Sequence, residues 1–105
     1  MSNETSIPLP ARRSLRKLGH DIALARRKRG ISTIDMAARL FVSRDTVWRM
    51  EQGDPTVALG TLATALFILQ LNDRLANLAA PSSDALALDL DEQRLLPKRI
   101  RKSRA

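Results

Sequence analysis

Ser43, Arg44, Asp45, Thr46, Trp48 and Arg49 crowd into the first eight residues of one short stretch, VSRDTVWRMEQGDP, which runs from Val42 to Pro55. Their chemistry is that of hydrogen bonding rather than bond breaking. An arginine can grip guanine through two parallel hydrogen bonds, and a carboxylate such as Asp45 can accept from the amino group of cytosine. The hydroxyls of Ser43 and Thr46, with the free N–H groups of a helix start, suit phosphate oxygens. Arg44 and Arg49 stand five positions apart on one helix, a spacing read as close enough in angle to address one groove. A plainer reading competes for each. Both arginines can be solvated surface charges, and Asp45 can simply favour the positive end of a helix dipole. Trp48 falls on the outer face in this register. There it can lie on a nucleic-acid backbone, pack against the N-terminal arm or cover a partner.

Little else in the sequence offers chemistry. The chain has no cysteine and a single histidine, His20. That removes disulfides, thiolate metal sites and most nucleophile–base arrangements. No glycine-rich phosphate loop and no cluster of carboxylates stands in for them. An enzyme is therefore not expected, nor a metal or other cofactor. The absence of cysteine fits a reducing, cytoplasmic setting. No apolar run reaches the length of a membrane span, and the N-terminus lacks the apolar core of a signal peptide.

Charge is placed unevenly. Residues 1–30 hold eight Lys and Arg against two acids, residues 31–60 three against four, and residues 61–97 two against five. The final eight, KRIRKSRA, carry five basic groups and no acid, which brings the chain to +7. A near-neutral or acidic body with two basic zones suits a polyanionic partner. Nucleic acid fits better than membrane, because no amphipathic anchor accompanies the charge.

The elements that must position the VSRDTVWR face can be read from periodicity and caps. At 105 residues the chain is long enough for one small domain. It is rich in Ala and Leu and only 3% aromatic, which favours helices. MSNETSIPLPA reads as a flexible arm, so residues 1–13 are set apart from a folded domain over 14–80. A helix is expected from Ser14, as N-cap, to Arg29, where Gly30 stops it after a basic last turn. Ser32 caps a second, Thr33 to Leu40. After a tight break at Phe41–Val42, Ser43 caps a third that reaches Gln52 and ends at Gly53-Asp54-Pro55. A fourth runs from about Leu59 to Leu71, and a fifth from Asn72 to Ala79. Pro81-Ser82-Ser83 reads as a linker into a partly disordered tail, 81–105. Within that tail, Leu86, Leu88 and Leu90 alternate with polar or small residues. This suggests a strand, with a short helix into Glu92 as the alternative. The fold class is all-α, five helices with extended ends.

In the Thr33–Gln52 segment, Met36, Ala37, Leu40, Val42, Val47 and Met50 form the inner face. The pattern Met-Ala-x-x-Leu-x-Val followed by Val-x-x-Met-Glu-x-Gly resembles the helix-turn-helix of the lambda-repressor-like family, often called the XRE family, over roughly residues 15–79. The resemblance implies DNA binding through the third helix and adds Thr33, at the start of the second, as a phosphate or base-edge contact. It also implies a structural ion pair between Arg26 of the first helix and Glu51 closing the third. One position departs: Phe41 stands where the family usually has glycine. A phenylalanine at positive φ is unfavourable, so the turn is expected to be strained or built differently.

The segments GDPTVALGTLATALFILQL and LDEQRLLPKRIRKSRA look like those of HipB-type antitoxins. Such proteins bind HipA-type serine/threonine kinase toxins and repress the operon they share. That resemblance implies a kinase partner and an operator on double-stranded DNA; a free-standing repressor of phage or restriction–modification type is the alternative. The fourth helix carries two apolar stripes, one through Leu62, Leu66 and Leu69, the other through Leu59, Ala63, Phe67 and Leu71. One small core covers only one of them, so a homodimer on a palindromic site is expected. The basic tail is expected to be mobile and to add phosphate contacts or, with Leu95, Leu96 and Ile100, to dock the toxin. A merely solubilising tail is the plainer reading.

Overall fold

A computed structural model describes the backbone of residues 6–98 and the side chains of residues 6–94. All of its regular structure is helical. Six α-helices run in the order α1 (Leu9–Lys28), α2 (Thr33–Leu40), α3 (Arg44–Glu51), α4 (Leu59–Ile68), α5 (Asn72–Ala76) and α6 (Ala85–Lys98). The chain divides into two compact units, Met1–Asn72 and Asp73–Ala105.

In the first unit, α1 begins at Leu9, not at Ser14. Pro8 is its N-cap and Pro10 lies in its first turn. Proline loses nothing there, because first-turn N–H groups have no intrahelical acceptor and its φ is already helical. Ser14 instead sits inside the helix and its hydroxyl donates back to Pro10 O at 3.1 Å. Residues 9–13, assigned to the arm by their prolines, are thus the first turns of α1. Residues 1–5 of the expected arm lie outside the described residues. Ser32 and Ser43 cap α2 and α3 as expected, accepting from Asp35 N at 3.0 Å and Thr46 N at 3.1 Å.

The four main helices all close in the same way. The residue after the last helical turn takes a left-handed backbone, and two N–H groups reach back to carbonyls of that turn at 2.8–3.2 Å. Gly30 and Gly53 occupy this position after α1 and α3, with φ of 69° and 80°. Phe41 and Gln70 occupy it after α2 and α4, with φ of 57° and 64°. The Phe41 turn therefore keeps the geometry that favours glycine and is strained rather than rebuilt. The next residues, Ile31, Val42 and Leu71, fold back onto the unit.

The core of this unit consists of Ile22 and Ala23 from α1, Ile31, Met36, Ala37 and Leu40 around α2, Val47 and Met50 from α3, and Ala65, Leu66 and Leu69 at α4. α1 and α3 meet backbone to backbone. A Cβ on Gly19 would stand 2.6 Å from Met50 O, and one on Gly53 would stand 2.6 Å from Arg16 Cα. No side chain other than hydrogen fits at either point. Along α4, Leu66 and Leu69 go inward, whereas Leu59 and Phe67 remain 74% and 67% exposed.

The second unit holds the last four residues of α5, a 3-10 turn at Pro81–Ser83 and α6. α5 ends at Ala76, short of the expected Ala79. The expected Leu86–Leu90 strand is helical instead. Asp84 starts α6 by accepting from Ala87 N at 3.0 Å, and the LDEQR run that follows consists mainly of good helix formers. A strand needs a second strand to satisfy its backbone, and the described residues contain none; a helix satisfies its own. The seven C-terminal residues and the side chains of Leu95 and Leu96 lie outside the described residues, as does the docking role read for the tail. No described helix is long and apolar enough to cross a membrane.

Candidate nucleic-acid interface

α2 and α3 are eight-residue helices joined only by Phe41, Val42 and Ser43. Such short helices depend on packing for their stability. Met36, Ala37 and Leu40 from α2 lock against Val47 and Met50 from α3, all buried. Burial of Val47 and Met50 turns Arg44, Asp45 and Trp48 outward, and all three are exposed.

Arg44 carries no hydrogen bond or ion pair among the described residues, so its five donors are available. Ser43 and Thr46 hold one another, Oγ to Oγ1 at 3.1 Å, while Ser43 Oγ also accepts from Thr46 N. Two hydroxyl hydrogens serve one mutual bond, which leaves one free to donate to an oxyanion. The N–H groups of Arg44 and Asp45 open the helix with no intrahelical acceptor. Thr33, half-buried at the first position of α2, stands beside the same kind of free N–H groups.

Arg49 is differently engaged. Five helical steps turn it about 140° from Arg44. Its Nε donates to Asp54 Oδ2 at 3.0 Å and its Nη2 to Thr56 Oγ1 at 3.4 Å. Asp45 Oδ2 lies 3.9 Å from its Nη1. Asp54 in turn accepts from Thr56 N at 2.8 Å and Thr56 Oγ1 at 2.6 Å. These Thr56 bonds, and then Arg49, hold the Asp54 carboxyl below its ordinary range. Arg49 thereby fixes the loop after α3, and a base contact from it would need release from Asp54. Asp54 was legible in the sequence only as part of a helix stop, and Thr56 was not singled out. Their spacing, an Asp two residues before a Thr, is that of a side-chain turn.

Behind α3, Arg26 Nε donates to Glu51 Oε2 at 2.7 Å and Nη2 to Oε1 at 3.1 Å. Nη1 donates to Ile31 O at 2.9 Å. Both side chains are only 8% exposed. The Glu51 bond raises the Arg26 guanidinium above its ordinary pKa, against the opposing effect of desolvation. One residue therefore ties the end of α3 to the end of α1 and sets the pose of the outer face. His20 is exposed on α1.

The sequence reading missed Arg12 and Arg16. Set apart as arm or as the start of a helix, they line a cleft with Trp48, Arg49, Gln52, Gly53, Asp54 and Pro55. The signal was Pro8 and Pro10, which suit a helix start as well as a flexible arm. Comparison with known proteins finds no matching family model, no matching curated protein and no matching solved structure.

Proposed function

We propose that this chain is a sequence-specific transcriptional repressor that binds double-stranded DNA through a lambda-repressor-like helix-turn-helix, with α3 as the recognition helix. The observation that carries the reading is the outer face of α3. A capped helix start with free N–H groups and a spare hydroxyl stands beside an exposed arginine with no partner among the described residues. Anion-seeking and base-reading groups at the start of one helix are what a major-groove reader needs. Ser43, Arg44, Asp45 and Thr46, with Thr33 on α2, make the first contacts; Trp48 and Arg49 stand at the rim.

In this reading the protein acts as a homodimer on a palindromic operator, since a twofold axis sets two recognition helices about 34 Å apart on one face of the duplex. Leu59 and Phe67, the exposed stripe of α4, support a second copy as the occupant of that face. Its setting, on the resemblance of the tail, is that of a HipB-type antitoxin. It binds a HipA-type kinase toxin and represses their common operon in the bacterial cytoplasm, at the nucleoid. Selection of binding sites from a random duplex pool tests the DNA reading. It should enrich a palindrome whose half-sites are one helical turn apart, and a pool that shows no enrichment would refute sequence-specific binding. Co-expression with the adjoining reading frame tests the antitoxin setting. A kinase-like neighbour that neither co-purifies with this chain nor is neutralised by it would refute that part alone.

A further inference from the structure

We infer that the cleft between the first half of α1 and the end of α3 seats one phosphodiester of the DNA strand, beyond the bases that α3 reads. The inference rests on the DNA-binding reading above. Three observations converge on it. First, the cleft joins the outer face of α3: Trp48 lines it, one helical turn after Arg44 on the same side. A strand whose base edge meets Arg44 has its own backbone within reach of Trp48.

Second, the cleft is lined by three arginines and one carboxylate, Asp54. Arg49 is engaged by Asp54, but Arg12 and Arg16 have no ion pair among the described residues. They lie four positions apart, hence on one face of α1. Third, Arg12 Nε is buried without an acceptor. A buried donor left unsatisfied is unfavourable, and a turn of the Arg12 side chain toward the cleft would let an incoming oxygen supply its bond. A phosphodiester brings two such oxygens and a sugar whose apolar face can rest on the indole. The glycine at position 53, which lets α1 lie directly on the end of α3, creates the cleft. Its volume, about 230 Å³, is below the roughly 300–1,000 Å³ of small-molecule sites. That suits one phosphate and its sugar better than a whole nucleotide.

The test uses the full chain and its selected duplex, with affinity measured by fluorescence anisotropy between about 50 and 200 mM salt. Arg12→Gln/Arg16→Gln removes the charge and keeps helix propensity. It should lower the slope of log affinity against log salt by about 0.9 per half-site and weaken binding roughly tenfold per half-site near 0.1 M salt. Arg12→Lys/Arg16→Lys should keep most of the slope, which separates lost charge from misfolding, and the circular dichroism of both variants should match the parent. A single neutral methylphosphonate walked along the half-site should weaken the parent at each contacted phosphate and, at one of those positions, leave the Gln variant unaffected. If the parent binds the duplex and the Gln variant shows the same affinity and slope, the cleft assignment is overturned and the recognition helix stands. If the parent binds no duplex, both fall. Trp48 is the chain's one tryptophan, so its emission reports a free anion. Saturable quenching by submillimolar inorganic phosphate would assign the cleft to a small anion and overturn the backbone reading.

Discussion

Replacing Glu51 with alanine leaves the largely buried Arg26 guanidinium without its counter-charge. The pair is held by two charge-assisted bonds of 2.7 and 3.1 Å, and each side chain is 8% exposed. Each such bond contributes about 1.5–3 kcal/mol, and breaking a buried pair by deleting one partner costs about 3–5 kcal/mol. Only the bond to Ile31 O survives, so the upper half of that range is expected. In a unit of this size each kcal/mol moves the midpoint of melting by about 4–8 °C, and Glu51→Ala should lower it by at least about 16 °C. Arg26→Met/Glu51→Leu removes both charges and fills the space. It should recover at least half of the loss, though not all, because Ile31 O is then left without its donor. Both effects should persist in about 1 M salt, which screens surface pairs such as Lys17–Asp21 but reaches a buried pair far less. Thermal melts followed by far-ultraviolet circular dichroism measure all three variants. A cost for Glu51→Ala below about 1 kcal/mol, or a double variant no better than the single, would refute the reasoning.

Phe41→Gly should stabilise the protein by about 1 kcal/mol, since the side chain is 94% exposed and its left-handed backbone favours glycine; a lowered melting midpoint would contradict the strain argument. Asp54 has its pKa depressed in the folded state, so the stability it contributes is fully present above the ordinary carboxyl value of about 3.9 and is lost as pH falls through its lower folded value. Asp54→Asn should therefore flatten the decline of stability in that acid window, and an unchanged slope would remove Asp54 as a source of it. Phe67→Glu, on the exposed stripe of α4, should leave the fold intact and convert a dimer to monomer in sedimentation. A dimer that survives the substitution would move the interface elsewhere.

The helix pair was legible because its signals are local and redundant. Ser32 and Ser43 cap, Val47 and Met50 recur on one side, and glycine closes α3. The start of α1 was not, because proline marks a flexible arm and a first helical turn equally well, and only packing separates them. The Leu86–Leu90 alternation misled for a related reason. Period two says which residues would share a face of a strand, but nothing in so short a run supplies a second strand. Phe41 was correctly singled out as a misfit, and the structure resolves it as strain rather than as a different turn. Arg49 was named for its type and spacing; its capture by Asp54 and Thr56 depends on the loop path after α3, which no periodicity encodes. The cleft at Arg12 and Arg16 requires knowing that Gly19 and Gly53 let two helices touch, a tertiary fact.

In the proposed function the outer face of α3 reads base pairs, and Arg44 is the side chain most free to do so. The decisive measurement is a titration of parent and Arg44→Ala against the selected duplex and against variants changed one base pair at a time. Arg44→Ala should lose about 1–3 kcal/mol on the selected duplex and lose discrimination at one base pair of each half-site, with its preferences elsewhere unchanged. An Arg44→Ala protein that binds as tightly as the parent, with the same preference at every position, would contradict the claim.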